Sequence, residues 1–165
     1  MRIAVMSDSH DHIWNLRKAL GVIQKKKAEM IIHCGDFIAP FMLKELDAAG
    51  IPVHGVFGNN DGDQHTLTRV ALKEISHITL HGLIGQIEIE QGRAIAFTHQ
   101  GAVAEGLAAG GSFKLVCFGH SHEYQLKKNG ASILLNPGEI MGKEGSPGFC
   151  FVDTETWEIN RVEIF

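Results

Sequence analysis

Seven side chains that can bind a metal ion follow five short apolar runs in the sequence. In chain order they are Asp8, His10, Asp36, Asn59, His99, His120 and His122. Carboxylate, amide and imidazole groups form the ligand set of borderline divalent metals such as Mn, Fe, Ni and Zn. Taken singly, each residue has an ordinary explanation as a helix cap, a turn residue or a core histidine. Their repeated position after apolar runs predicts a metal site.

The spacing within two of these segments is also informative. Asp8-x-His10 places two candidate ligands two residues apart, and the last pair of histidines repeats this arrangement. Residues i and i+2 of an extended segment point to the same side, so we expect each pair to face one ligand. A glycine directly precedes three of the candidates, at positions 35, 58 and 119. Glycine lets the backbone turn sharply and approach a ligand closely.

Strands and helices alternate in the first half of the chain, where the first candidate ligands lie. Apolar runs predict buried strands at Arg2 to Met6, Met30 to His33 and Val53 to Phe57. Helical spacing follows from Ile13 to the lysines at 25–27, from about Pro40 to Ala49, and from about Gln64 to Glu74. This alternation implies parallel strands joined by right-handed crossovers. Ligands bind at the carboxyl ends of such strands, so the candidate ligands are expected to converge on one crevice.

The second half is predicted to be rich in short strands, with one helix at Ala102 to Ala109. The strand candidates are Ile78 to Leu80, Gln86 to Glu90, Ala94 to Thr98, Leu115 to Phe118, Gln125 to Lys128, Ser132 to Leu135, Gly148 to Val152 and Glu158 to Ile164. Turn signals such as Gln91-Gly92 and Asn129-Gly130 separate them. The predicted fold class is α/β, with a parallel half and an antiparallel half. Its two mixed β-sheets pack face to face with helices outside.

Length and charge limit the classes of protein that fit. The 165 residues predict a single domain over 1–165. The net charge of −4 gives no broad basic field, so strong binding to nucleic acid or to anionic membranes is not expected. No apolar stretch reaches the roughly 18 residues of a membrane span, and no signal-peptide core follows Arg2, so we expect a cytoplasmic chain. Homo-oligomerisation stays open.

The ordered motifs resemble the calcineurin-like metallophosphoesterases. They are Asp8-x-His10, Gly35-Asp36, Gly58-Asn59-Asn60-Asp61, His99 and Gly119-His120-x-His122. The short chain and Asn136-Pro137-Gly138 indicate the small prokaryotic phosphodiesterase branch of that family. The resemblance implies a four-layer sandwich and two divalent metals per chain, with Mn²⁺ or Ni²⁺ expected first and Zn²⁺ or Fe²⁺ as alternatives.

The resemblance also implies which residues hold each metal. One ion would be held by Asp8, His10, Asp36 and His122. The other would be held by Asp36, Asn59, His99 and His120, with Asp36 bridging. Two such ions lower the pKa of a bridging water, and the resulting hydroxide would attack phosphorus in line.

The expected activity is therefore hydrolysis of a small phosphate ester, most naturally a phosphodiester. Catalysis would depend on Asp36, Asn59 and His99. The alternative is a non-catalytic, metal-binding scaffold for protein interactions on the same fold. It is disfavoured because no metal ligand is missing from the sequence.

The sequence departs from the family pattern at two places. Asn60 stands where many relatives have the histidine that is thought to protonate the leaving group, and an amide cannot act as an acid. Gln100-Gly101 stands where relatives often have a Gly-His pair. His12, two residues after His10, is the candidate replacement as proton donor or substrate contact.

The other histidines and the cysteines are interpreted as structural. His33 and His54 fall within apolar runs, and three more histidines, at positions 65, 77 and 81, lie in polar or turn regions. The three cysteines lie in or beside apolar strands without CxxC pairing, so we expect buried, reduced thiols.

Overall fold

A computed structural model of the chain describes residues 1–89 and 92–165. The strands among these residues are β1 (Arg2–Met6), β2 (Met30–His33), β3 (Val53–Gly55), β4 (Ile78–Leu80), β5 (Ile84–Ile89), β6 (Arg93–Thr98), β7 (Leu115–Cys117), β8 (Tyr124–Asn129), β9 (Ser132–Pro137), β10 (Gly148–Asp153) and β11 (Ile159–Glu163). The helices are α1 (Ile13–Lys25), α2 (Pro40–Asp47), α3 (Gln64–Lys73) and α4 (Gly101–Ala109). The predicted strand end at Glu90 and the turn position at Gln91 lie outside the described residues.

The first sheet has the strand order β11-β10-β1-β2-β3-β4. β1 to β4 run parallel, and α1, α2 and α3 are the crossovers between them. β10 and β11 return to this sheet and pair antiparallel, β10 with β1 and β11 with β10. The assignment of Ile78 to Leu80 to an antiparallel half was therefore wrong. The helix α3 carries the chain over the sheet, so β4 enters in the same direction as β3.

The second sheet has the strand order β5-β6-β7-β9-β8. Its three central strands, β6, β7 and β9, are parallel, and the edge strands β5 and β8 are antiparallel to their neighbours. In this sheet the expected antiparallel pairing occurs only at these edges, whereas β10 and β11, which were expected in the same half, pair antiparallel in the first sheet. The crossover α4 makes β7 parallel to β6, and the hairpin after β8 turns β9 back into the direction of β7.

Alternation of side chains along the strands builds four layers. In β1, Ile3 and Val5 face an apolar core between the two sheets, whereas Ala4 and Met6 face α1, α2 and α3. In the second sheet, Phe97 faces the shared core, while neighbouring strand residues pack against α4. Because both faces of each sheet are covered, the central strands are buried along nearly their whole length.

Candidate metal centre

The seven predicted ligands lie in loops that leave the carboxyl ends of five strands. Three of these strands, β1, β2 and β3, belong to the first sheet, and two, β6 and β7, belong to the second. The side chains come together where the two sheets meet. The site is thus built across the sandwich, and neither sheet alone supplies it.

Asp8, His10 and His122 form one cluster, which we call the β1 group. Asp8 Oδ1 lies 3.8 Å from His10 Nε2 and 3.4 Å from His122 Nε2. Both atoms are buried; Asp8 Oδ1 lacks a hydrogen-bond partner among the described residues, and His10 Nε2 faces only carboxylate oxygens, of which Asp36 Oδ2 is 3.2 Å away. Leaving buried polar atoms unsatisfied is costly. A divalent cation would satisfy both atoms, so these residues fit the metal that the fold implies.

Asn59, His99 and His120 form a second cluster, which we call the β3 group. Asn59 Oδ1 lies 3.0 Å from His99 Nε2 and 2.8 Å from His120 Nδ1. His99 Nδ1 donates to the backbone oxygen of Cys34 at 2.8 Å, which turns Nε2 toward the centre. One oxygen and two ring nitrogens therefore face the same point, as ligands of one ion would.

Asp36 lies between the two groups. Its Oδ2 is 3.2 Å from His10 Nε2 and 3.4 Å from His99 Nε2. Burial favours the neutral acid, but interactions with His10, His99 and Asn60 outweigh it and hold the pKa of Asp36 well below its usual range. Asp36 is therefore an anion placed within reach of both groups. Asp8, Asp36 and His99 also form a compact trio whose ligand atoms lie within 4.8 Å of one another.

The backbone that carries these ligands is left-handed at several positions. Asp8, His10, Asp36, His120 and His122 have φ values of 54°, 41°, 60°, 70° and 61°. The expectation of an extended Asp8-x-His10 segment was therefore wrong, although the two side chains do face one centre. Such conformations cost roughly 1–3 kcal/mol per residue and cluster at functional sites. Backbone bonds from Asp8 N to Gly35 O and from His10 N to Asp36 O hold this loop in place.

Two of the glycines that precede ligands are required by close packing. A Cβ at Gly58 would clash with Asp36 Oδ1. A Cβ at Gly119 would clash with Ser7 Oγ and would approach within 2.7 Å of Asp8 Oδ2. The backbone thus comes as close to the buried carboxylates as the sequence pattern indicated.

Two acidic residues support the site without having been assigned a role from the sequence. Asp61 is buried and accepts hydrogen bonds from the backbone N–H groups of Asp36, Ile38 and Gly58, so it joins the loops after β2 and β3. Glu139 accepts from His122 Nδ1 at 2.7 Å. Burial raises the pKa of Glu139, but hydrogen bonds from backbone N–H groups and from His122 hold it below its usual value. The only sequence signal for Glu139 was its position after Asn136-Pro137-Gly138.

The remaining candidates occupy different surroundings. Asn60 donates from its backbone N–H and its Nδ2 to the two oxygens of Asp36, at 2.9 and 2.8 Å. His12 caps α1, where its Nδ1 accepts from the backbone N–H of Asn15 at 3.3 Å.

His33 is fully buried between Ser9 Oγ and the Gly35 N–H, and burial lowers its pKa to about 3. It is a neutral structural histidine, as interpreted from the sequence.

The three cysteines are packing residues of the apolar core rather than candidate metal ligands. All three thiols are buried and free, and they lie in the core between the sheets. Burial raises the pKa of the Cys34 thiol well above its usual value. The thiols are therefore protonated, apolar packing groups.

The geometry agrees with a known family. A family model described as the calcineurin-like phosphoesterase superfamily domain matches residues 1–157. The chain belongs to this superfamily of metallophosphoesterases and is a phosphoric ester hydrolase. None of the helices in the described part of the chain has the length and apolar character needed to cross a membrane.

Individual relatives resemble the chain over nearly its whole length. It is 33% identical to Phosphodiesterase MJ0936 of Methanocaldococcus jannaschii over 164 aligned residues. The alignment covers 98% of this chain and 98% of that protein. The solved structure of a novel archaeal phosphodiesterase matches with a TM-score of 0.89 and 31% identity, over 99% of this chain and all of that one. The E. coli phosphoesterase Yfce matches with a TM-score of 0.71 over all of both chains. Its 15% identity shows the fold alone. The predicted fold class and family are confirmed.

Proposed function

We propose that this protein is a dinuclear phosphodiesterase that hydrolyses a small phosphate diester. The observation that carries the proposal is the convergence of two buried atoms, Asp8 Oδ1 and His10 Nε2, beside the anionic Asp36. The similarity to a protein named as a phosphodiesterase supports the choice of a diester.

In this proposal the β1 group holds one divalent cation, the β3 group holds the other, and Asp36 serves both. The proposed ions are Mn²⁺ or Ni²⁺, with Zn²⁺ or Fe²⁺ as alternatives. Sites that mix carboxylate and imidazole ligands suit all of these ions. When bound, the two cations would supply a water of lowered pKa as nucleophile and neutralise charge on the phosphoryl oxygens.

The side chains around the site determine where the ester binds. A cavity of about 850 Å³ opens over the centre, and its wall includes His10, Asn60, His120 and His122. That volume suits a small ligand. Asn60 and the buried Asp61 hold Asp36 and its loop in one orientation, so the site is organised before the ester arrives.

Protonation of the leaving group is assigned to His12 or to solvent. Asn60 has no acidic proton, and its amide is already engaged with Asp36. His12 uses Nδ1 as an acceptor at the start of α1, so its neutral ring carries the proton on Nε2. The non-catalytic scaffold is not favoured, because all seven expected ligands are present and face one centre.

Metal analysis combined with turnover tests the proposal. The metal-free chain is reconstituted with Mn²⁺ or Ni²⁺, and the bound metal is measured beside activity on phosphomonoesters and phosphodiesters. We expect two ions per chain and preference for diesters. His65→Ala, an exposed histidine of α3, is the control and should match the unmodified chain. A ratio that stays near one ion would overturn the dinuclear site, and preference for monoesters would overturn the substrate class.

A further inference from the structure

Glu139 is a buried carboxylate whose two oxygens serve different parts of the molecule. Its side chain is 1% exposed. Oε2 lies 2.7 Å from His122 Nδ1, and Oε1 accepts from the backbone N–H groups of Glu144 and Gly145 at 2.6 and 2.8 Å. One side chain therefore joins a member of the β1 group to the loop of residues 142–146, which we call the rim loop.

The ring of His122 is held between two carboxylates. Nδ1 faces Glu139, while Nε2 lies 3.4 Å from Asp8 Oδ1 and so points into the centre. An ionised carboxylate only accepts hydrogen bonds, so Nδ1 must carry the proton in this arrangement. In the neutral imidazole the other nitrogen, Nε2, then presents a lone pair to the centre. That is the form in which an imidazole binds a metal.

The rim loop forms part of the cavity wall. Lys143, Glu144, Gly145 and Ser146 line the same cavity as His122. The carboxylate of Glu139 thus fixes the orientation of a ligand ring on one side and the position of the cavity wall on the other.

We propose that Glu139 is a positioning residue that holds His122 in the Nδ1–H tautomer and ties the rim loop to the metal centre. The inference rests on the proposed function, because it takes His122 to be a metal ligand. It adds that metal binding and ligand binding in the cavity are coupled through one side chain. Because one carboxylate makes both contacts, we expect loss of Glu139 to weaken both kinds of binding.

His99 provides the internal comparison. Its Nδ1 also donates away from the centre, but to the backbone oxygen of Cys34 rather than to a carboxylate. No side-chain substitution removes that carbonyl acceptor. Glu139 is therefore an acceptor behind a ligand ring that a side-chain substitution can change.

The test is Glu139→Gln, which keeps size and shape. The amide has one accepting end and one donating end, so it can accept from His122 Nδ1–H or from the rim-loop amides, but not from both. We expect affinity for the first Mn²⁺ to fall about 10- to 100-fold, measured by competition with a chelator. Affinity of the Mn²⁺-loaded chain for inorganic phosphate should fall as well. Glu105→Gln, an exposed Glu of α4, is the matched control and should change neither affinity.

Nitrogen NMR of ¹⁵N-histidine in the metal-free chain supplies a readout that general loosening of the fold would not give. We expect His122 to be the Nδ1–H tautomer in the unmodified chain and to shift toward Nε2–H in Glu139→Gln. An Nε2–H form in the unmodified chain would overturn the proposal, and this measurement needs no variant. Unchanged affinity for both Mn²⁺ and inorganic phosphate in a folded Glu139→Gln would also overturn it. If the unmodified chain bound no Mn²⁺, the proposed function would fail, while the NMR result would still decide the role of Glu139.

Discussion

The β1 group and the β3 group offer equal numbers of side chains to the centre, but their surroundings differ. The β1 group contains the buried carboxylate of Asp8, and its His122 is hydrogen-bonded through Nδ1 to the carboxylate of Glu139. The β3 group contains the neutral amide of Asn59, whose oxygen already lies within hydrogen-bond distance of two imidazoles. A buried carboxylate attracts a cation more strongly than a neutral amide dipole does. Equal ligand counts therefore do not imply equal affinity, and we expect the β1 group to bind its ion more tightly.

The largest effect is expected from Asp36, which belongs to neither group alone. Asp36→Asn keeps the shape but removes the charge that both ions would share. Metal-ion catalysis is worth several kcal/mol, so turnover should fall by about 10³-fold or more. Circular dichroism should change little, because the loop remains tied through the Asp36 N–H to Asp61. Turnover above a tenth of the unmodified value would show that Asp36 is not shared.

The next effect concerns the proton for the leaving group, which the proposed function assigns to His12 or to solvent. General acid help is worth roughly 10²- to 10⁴-fold. With Asn60 in place of an acid, we expect fast cleavage of activated aryl diesters, slow cleavage of alkyl diesters and a steep dependence on leaving-group pKa. Asn60→His, measured over the same ester series, should raise alkyl ester turnover by about 10²-fold and flatten the dependence.

His12→Ala distinguishes His12 from solvent as the source of that proton. If His12 donates, the variant should lose turnover on alkyl esters and keep it on activated aryl esters. A shallow dependence in the unmodified chain would mean that protonation is already provided. An unaffected His12→Ala in that case would assign the proton to solvent.

A smaller effect should distinguish the two groups directly. Asn59→Ala removes a neutral ligand from the β3 group, so the second Mn²⁺ should bind about tenfold more weakly, equivalent to about 1.4 kcal/mol. The first Mn²⁺ should bind as before. Calorimetric titration of both steps tests this, with Asn160→Ala as an exposed control outside the centre. Loss of the tighter step would reverse the assignment of the two groups.

The smallest expected effect is the release of about one proton from His10 when Mn²⁺ binds. The neighbouring carboxylates of Asp36 and Asp8 raise the pKa of His10 to about 9 in the metal-free chain. At pH 7.5 the ring is therefore protonated, and a cation must displace that proton. Proton release from this group should disappear as the pH rises through about 9. Calorimetry in two buffers of different ionisation enthalpy measures the release, and His10→Asn should lower it by about one proton.

Local patterns in the sequence predicted the elements more successfully than their pairing. The third helix was expected over Gln64 to Glu74 and spans Gln64–Lys73. The strand Ile78–Leu80 was also located correctly, but it was assigned to the antiparallel half and instead pairs parallel with β3. Helical periodicity and turn residues act within a few positions, whereas strand partners are chosen by long-range packing. The direction of a strand within a sheet therefore depended on information that no short segment contains.

In the candidate site as well, features with a local sequence signal were predicted and features that depend on the fold were missed. Residue type and position after strands identified the ligand candidates, because those signals are local. The left-handed backbone at Asp8 and His10 was missed, since it depends on hydrogen bonds to the loop after β2. Glu139 was missed because a single acidic residue has no distinguishing pattern until the fold places it behind His122.

The place of β10 in the first sheet has a consequence for how the protein is made. β10 lies between β1 and β11, and the backbone of Asp8 accepts from the N–H of Met141. A ribosome delivers Asp8 and His10 early, and β10 among the last elements, so pairings between them form late. β1, which leads into Asp8 and His10, therefore gains its parallel partner β2 long before its antiparallel partner β10.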